Sequence, residues 1–213
     1  GTLTLGCFDD LAPCHLAPTL RHLRDTLPGV DLRWRVADFE IIAQELEEGR
    51  IDLALSYDLG LDSSVERTPV AVAVPNAFVA GDHPLADRAE VTLAALTKEQ
   101  LIVFDEGLSL RHWTRLFRQH GLSPSFAHRV RSLEVMRSLA ANREGVGVSY
   151  TRPIGQTSYD GARVCAVPVA DTTAHEPIIL ARQRVTAAAD VVEAGHEAIR
   201  QRFRDLPVSG GDG

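Results

Sequence analysis

Carboxylates, hydroxyls and a guanidinium gather where this chain turns from apolar runs into helical patterns. Cys7-Phe8-Asp9-Asp10 is one such junction, Asp38-Phe39-Glu40 a second, and Asp105 to Arg111 a third. The first N–H groups of a helix lack partners and the macrodipole is positive there, so such junctions attract polar ligands and anions above all. Asp and Ser are also ordinary helix caps, which leaves each junction with two readings. Asp9 or Asp10 either caps the first helix or turns a carboxylate toward a ligand. Asp38 is the natural cap of the second helix. Phe39 beside it either stacks on a ligand ring or closes the core between helix and sheet. Ser109 is the expected cap of the third, where its hydroxyl and the amides after it suit an acidic group. Arg111, two residues after Ser109 and next to Leu110, has a planar fork suited to a carboxylate; the alternative is an Arg facing solvent. Ser132, with Glu134 close behind, repeats the capping logic.

No catalytic set converges. His15, His22, His83, His112, His120, His128, His175 and His196 are scattered, and there is no nucleophile elbow, phosphate-binding P-loop or HExxH helix. Cys7, Cys14 and His15 match no standard zinc spacing. They read better as two small buried thiols, with a redox pair as the alternative, though no Lys or Arg stands near to lower a thiol pKa. No metal and no cofactor is called for, and an enzyme is not expected.

The elements that position these residues follow from periodicity and punctuation. Leu3–Cys7 reads as a strand, Ala12–Leu27 as a helix and Val30–Val36 as a strand. Asp38–Glu48 is a helix stopped by Gly49, and Ile51–Leu55 is an apolar strand of the kind covered on both faces in a parallel sheet. Such a strand opens at its carboxyl end, placing Ser56, Tyr57 and Asp58 where open α/β sheets bind ligands; a simple turn is the alternative. Val65–Val72 and Val74–Ala80 are apolar strands broken by Pro69 and Pro75, a place for the chain to change lobes. The α/β pattern then repeats: Gln100–Phe104, helix Leu110–His120 ended by Gly121, Phe126–Arg131, helix Leu133–Ala141, Gly147–Tyr150 and Val164–Val169. Tyr150 and Thr151 follow the short strand and face the hinge. The chain returns near His175–Pro177 with strand Ile178–Arg182 and a helix from about Ala187 to Arg204.

These pieces resemble the effector-binding domain of LysR-type transcriptional regulators. The carriers are LTLGCFDDLAP, LPGVDLRW, EEGRIDLALSYD, AGDHPLA, SLRHWTRLFRQHG and SLEVMRSLAANREGVGVSYTRP, in the family's order and covering most of residues 2–205. The resemblance implies an α/β fold of two Rossmann-like subdomains around a cleft, like a type 2 periplasmic binding protein. Subdomain I would comprise 1–73 and 175–207, subdomain II the inserted 74–174, and 208–213 a disordered tail. A small-molecule effector would lie between Phe8, Asp9, Asp10, Asp38, Phe39 and Tyr57 on one side and Ser109, Leu110, Arg111, Ser132, Tyr150 and Thr151 on the other. Family members more often carry Ser or Thr where Asp9 and Asp10 stand, so a cationic or hydroxyl-rich group is the better match at that loop. The resemblance also implies a side-by-side homodimer, a tetramer in the full-length protein, with helix Pro13–Leu27 of one copy against Leu110–His120 of another. The stripe Leu16, Leu20, Leu23 and Leu27 either serves that contact or belongs to the lobe's own core.

Charge sets the expected partners. With Lys+Arg at 22, Asp+Glu at 29 and a formal net charge of −7, this chain is not expected to grip DNA. DNA binding is expected only through a helix-turn-helix preceding it, which makes the chain a fragment of the regulator. No apolar run reaches 18 residues, so no membrane partner is implied, and three cysteines point away from a disulfide framework. A cytoplasmic setting is expected. The rival reading is a transport-type solute-binding protein of the same fold.

Overall fold

The computed structural model describes residues 1–184 and 189–207. In chain order it runs β1 (Thr2–Phe8), α1 (Ala12–Thr26), β2 (Asp31–Ala37), α2 (Phe39–Glu47), β3 (Leu53–Tyr57) and β4 (Val65–Ala73). Next come β5 (Asn76–Ala80), α3 (Leu93–Leu96), β6 (Gln100–Phe104), α4 (Gly107–Gln119), β7 (Ser125–Val130), α5 (Leu133–Ala141), β8 (Val146–Ser149) and β9 (Val164–Pro168). A 3-10 turn at Thr172–Ala174 precedes β10 (Glu176–Gln183) and α6 (Asp190–Asp205). The expected tail 208–213 and the expected helix start at Ala187 lie outside the described residues.

The chain divides into two compact units. The first holds Gly1–Ala73 and the return segment from Glu176; the second holds Val74–His175. In the first, five strands lie in the order β2-β1-β3-β10-β4. β2, β1 and β3 run parallel, and β10 is antiparallel to both β3 and β4. Every residue of β3 is buried, Ser56 included, as a strand covered on both faces requires. Gly49 takes φ +76° immediately after α2, a conformation in which a side chain would be strained, and so releases the chain toward β3. Pro69 is accommodated because β4 is an edge strand, and the register with β10 shifts at Ile178/Ile179, opposite that proline.

α1 divides its leucine stripe. Leu20 and Leu23 are 7% and 1% exposed within a single copy of the chain and belong to the unit's own core, the second of the two readings, while Leu16 and Leu27 are half-buried. The helix face left to solvent carries Pro13, Cys14, Ala17, Pro18, Arg21 and Arg24 instead.

The second unit repeats the plan with the order β7-β6-β8-β5-β9, β6 being parallel to β7 and β8. One face of its sheet packs Trp113, Leu116 and Phe117 of α4. The other packs Met136 and Ala140 of α5. No helix among the described residues is long and apolar enough to cross a membrane.

Candidate functional site

In the first unit the parallel strands β2, β1 and β3 end side by side at Ala37, Phe8 and Tyr57, with Phe8 registered opposite Ala37. Parallel strands release their loops at one edge, and that topology brings the first group of sequence-predicted residues together. The Asp9 N–H donates to the Ala37 carbonyl at 3.0 Å, tying the β1 loop to the end of β2. Phe8 and Tyr57 meet edge to face with centroids 5.9 Å apart, and both are buried. Phe39 is buried too. Asp38 caps α2, its Oδ1 accepting from the Ile41 N–H at 2.9 Å. Asp58, next after Tyr57, is held by Arg67 at 2.8 Å.

Asp9 and Asp10 do not occupy the N-cap position of α1. Leu11 does, and it offers no side-chain cap. The reason is a backbone turn, in which the Leu11 N–H donates to the Phe8 carbonyl at 2.9 Å and the Ala12 N–H to the Asp9 carbonyl at 3.3 Å. That turn delays the helix past both carboxylates. Burial and then the charge of Asp9 push the Cys7 thiol up to about 12. Cys14, expected to be buried, is exposed.

In the second unit β7, β6 and β8 deliver the remaining residues to the carboxyl edge of their sheet. The Asp105 N–H donates to the Val130 carbonyl at 2.7 Å, joining the loops after β6 and β7. Ser132 caps α5, accepting from the Val135 N–H at 3.2 Å. Ser109 does not cap α4: that helix begins at Gly107 with Glu106 at the N-cap, which puts Ser109 inside the first turn. The Leu110 N–H is already bonded to the Glu106 carbonyl at 2.9 Å. The amides without an acceptor inside this helix are therefore those of residues 107–109 rather than those after Ser109.

Tyr150 is less available than its position predicts. Its hydroxyl donates to the Ala174 carbonyl at 2.6 Å and lies 2.7 Å from His112 Nε2, while its ring stacks on Trp113 at 5.5 Å. Because the hydroxyl proton goes to Ala174, the matching His112 tautomer carries its proton on Nε2. Burial, followed by the charge of Arg115, holds His112 below its ordinary pKa, which favours that neutral form. Thr151 is buried, with its N–H on Ser149 Oγ at 3.1 Å.

Arg111 is exposed and lines a groove on the outward face of α4 with Arg115, Arg118 and Arg129. The sequence reading missed His112, Trp113 and this company of arginines. The i, i+4, i+7 spacing of Arg111, Arg115 and Arg118 was the available signal. Among the described residues no group of three or more His, Cys, Asp or Glu side chains is placed to hold a metal ion.

This architecture recurs in known proteins. The model of the LysR substrate binding domain matches residues 1–204. The uncharacterized HTH-type transcriptional regulator YnfL of Escherichia coli (strain K12) is 31% identical over 143 residues, 62% of this chain and 48% of the relative. The crystal structure of HinK, a LysR family transcriptional regulator from Pseudomonas aeruginosa, superposes with TM-score 0.87 at 29% identity, over 95% of this chain and 70% of that one. The effector binding domain of BenM with its effector benzoate shares the fold at 21% identity and TM-score 0.80, over 95% of this chain and 92% of that one; BenM is from Acinetobacter baylyi. The chain spans about half the length of the first curated relatives it matches. With the family model covering nearly all of it, the chain belongs to the LysR substrate-binding domain family, the non-enzymatic effector-binding part of LysR-type transcriptional regulators.

Proposed function

We propose that this chain senses a small-molecule effector with the loops at the carboxyl edges of its two sheets and passes the occupancy on to a DNA-binding head. The observation that carries this reading is the convergence, within each unit, of polar groups at the ends of three parallel strands. Asp9, Asp10 and Asp38 stand at one edge; Ser109, Ser132 and Thr151 stand at the other. The benzoate-bound BenM domain, of the same fold, supports a compact organic ligand. The open amides of residues 107–109 and Arg111 suit an acid group, and the Asp9-Asp10 loop suits a hydroxyl or amine. Regulation then needs only that the effector prefer one arrangement of the domain over another by a few kcal/mol.

Self-association belongs to the same proposal. β2 and β7 are the parallel edge strands of their sheets, and β2 leaves Trp34 52% exposed with Val36 beside it. Unpaired edges with apolar side chains favour pairing between copies. A dimer of the domain, a tetramer of the full-length protein and work in the cytoplasm, beside DNA, follow from this role. A melting-temperature screen of small carboxylic acids, amines and polyols tests the proposal, followed by calorimetry on the best compound. Arg111→Ala is expected to weaken an acid by about 1.5–3 kcal/mol. Asp9→Asn is expected to weaken an amine and leave an acid unaffected. Binding untouched by both substitutions removes these two loops from the site.

A further inference from the structure

The seam between α1 and α6 in the first unit holds polar groups that its own contacts do not satisfy. Buried nitrogen and oxygen atoms almost always find hydrogen-bond partners, because losing water without a replacement is costly. Among the described residues five buried side-chain atoms have none, and four of them lie on these two helices: His15 Nδ1, Thr19 Oγ1, His22 Nε2 and Arg202 Nη1. Positions 15, 19 and 22 recur at i, i+4 and i+7 and so share one side of α1. That side is turned to α6, since the His15 ring lies 5.2 Å from that of Phe203. The Arg202 guanidinium sits over the same Phe203 ring, 4.9 Å from its centroid. The face that α1 leaves to solvent, with Ala17, Arg21 and Arg24, is a different one, so a contact between copies there does not cover the seam.

Charge fixes the sign of the missing partner. Arg200 and Arg204, on either side, are paired with Glu197, whereas Arg202 takes part in no ion pair among the described residues. Burial holds Arg202 below its ordinary pKa, and no carboxylate counters the effect. After burial, the charge of Arg202 is what depresses His15 to about 4, which places the two side chains near each other. A guanidinium offers donors only. Thr19, fully buried, adds a hydroxyl that can donate, and neutral His15 donates from Nδ1 in the matching tautomer. Three donors about one positive charge select an anion over a metal ion or an amine.

Geometry narrows the anion. His15 and Thr19 stand about 6 Å apart along the axis of α1, and Arg202 reaches in from the neighbouring helix. One ion meets all three only if its oxygens point in several directions, which suits a tetrahedral oxyanion better than a planar carboxylate. His22 lies about 10 Å along the axis from His15 and falls outside the reach of that ion. His15 and Arg202 are each half-buried, so the site borders solvent.

We propose that the α1–α6 seam of the first unit binds a tetrahedral oxyanion of the phosphate or sulfate type, held by Arg202 Nη1, Thr19 Oγ1 and His15 Nδ1. The site uses none of the loops assigned to the effector and does not depend on that reading.

The test is calorimetric titration of the chain with phosphate, sulfate and acetate at fixed ionic strength. Phosphate or sulfate is expected to bind at one site per chain, and more tightly than acetate. Thr19→Val replaces the hydroxyl by a methyl of similar shape. It is expected to weaken binding about tenfold, while the melting temperature without the ion holds or rises because a buried orphan is removed. Arg202→Gln is expected to abolish binding. Absence of binding by both phosphate and sulfate overturns the proposal. So does binding indifferent to Thr19→Val, which marks an adventitious ion only, or acetate held as tightly as the tetrahedral ions. A fall in the melting temperature of Thr19→Val without the ion also overturns it, since the hydroxyl then has a partner within the chain.

Discussion

Cys7 and Cys14 have opposite chemistry although both flank the same loop. The Cys7 thiol is buried and pushed up to about 12, so almost none of it is thiolate at neutral pH. Cys14 is exposed on α1. Alkylation of the native protein with iodoacetamide at pH 8, followed by mass spectrometry, is expected to label Cys14 and spare Cys7 until the chain is unfolded. Rapid labelling of Cys7 in the folded protein contradicts the burial. A second residue couples protonation to stability. His15 stacks near Phe203, with centroids 5.2 Å apart, and burial followed by the charge of Arg202 lowers its pKa from 6.5 to about 4. As pH falls below 6.5 the unfolded chain takes up this proton, while the native chain does not until about 4. The neutral His15 thus contributes stability that is full above pH 6.5 and lost down to about pH 4. The melting temperature of His15→Leu is expected to depend less on pH across that window than that of the parent. Equal slopes would contradict it.

At the scale of elements, local punctuation was legible, while burial was legible for β3 and not for Cys14. Gly49 and Gly121 mark the ends of α2 and α4, and Asp38 and Ser132 cap α2 and α5 as their types predict. Capping at Asp9 or Asp10 and at Ser109 failed because helix starts depend on backbone turns that residue types do not encode. The stripe on α1 left two readings open for a related reason. A row of leucines at helical spacing says that a face is covered, not by what. Since Leu23 is core, Leu23→Glu is expected to cost about 4 kcal/mol or more by burying a charge, and denaturant melts measure it. Trp34→Glu, at an exposed position of β2, is expected to change stability by less than about 1 kcal/mol. By sedimentation it should weaken self-association if β2 lies in the contact. α5 offers a further test. Arg137, 4% exposed, pairs with Glu134 at 2.6 Å and donates to the Gly155 carbonyl at 2.7 Å. Arg137→Ala is expected to cost about 3 kcal/mol, because it leaves the half-buried Glu134 without its cation.

For the whole molecule, the sequence predicted two α/β assemblies because apolar strands, helix stops and motif order all point the same way. Which residues meet a ligand was harder to read. Tyr150 looked ligand-facing by position, yet its hydroxyl and ring are engaged by Ala174, His112 and Trp113, contacts made by residues distant in sequence. Arg111 looked like a lone cation near the site until the neighbouring arginines appeared. Charge predicts that this chain alone shows no salt-dependent affinity for duplex DNA. The central claim is that an effector is held by the loops at the carboxyl ends of the parallel strands. Hydrogen exchange with and without the compound that most raises the melting temperature tests it most directly. Slowed exchange is expected at residues 8–12 and 38–41 in the first unit and at 105–110, 132–135 and 150–151 in the second. Protection confined to the opposite ends of the strands would contradict the account.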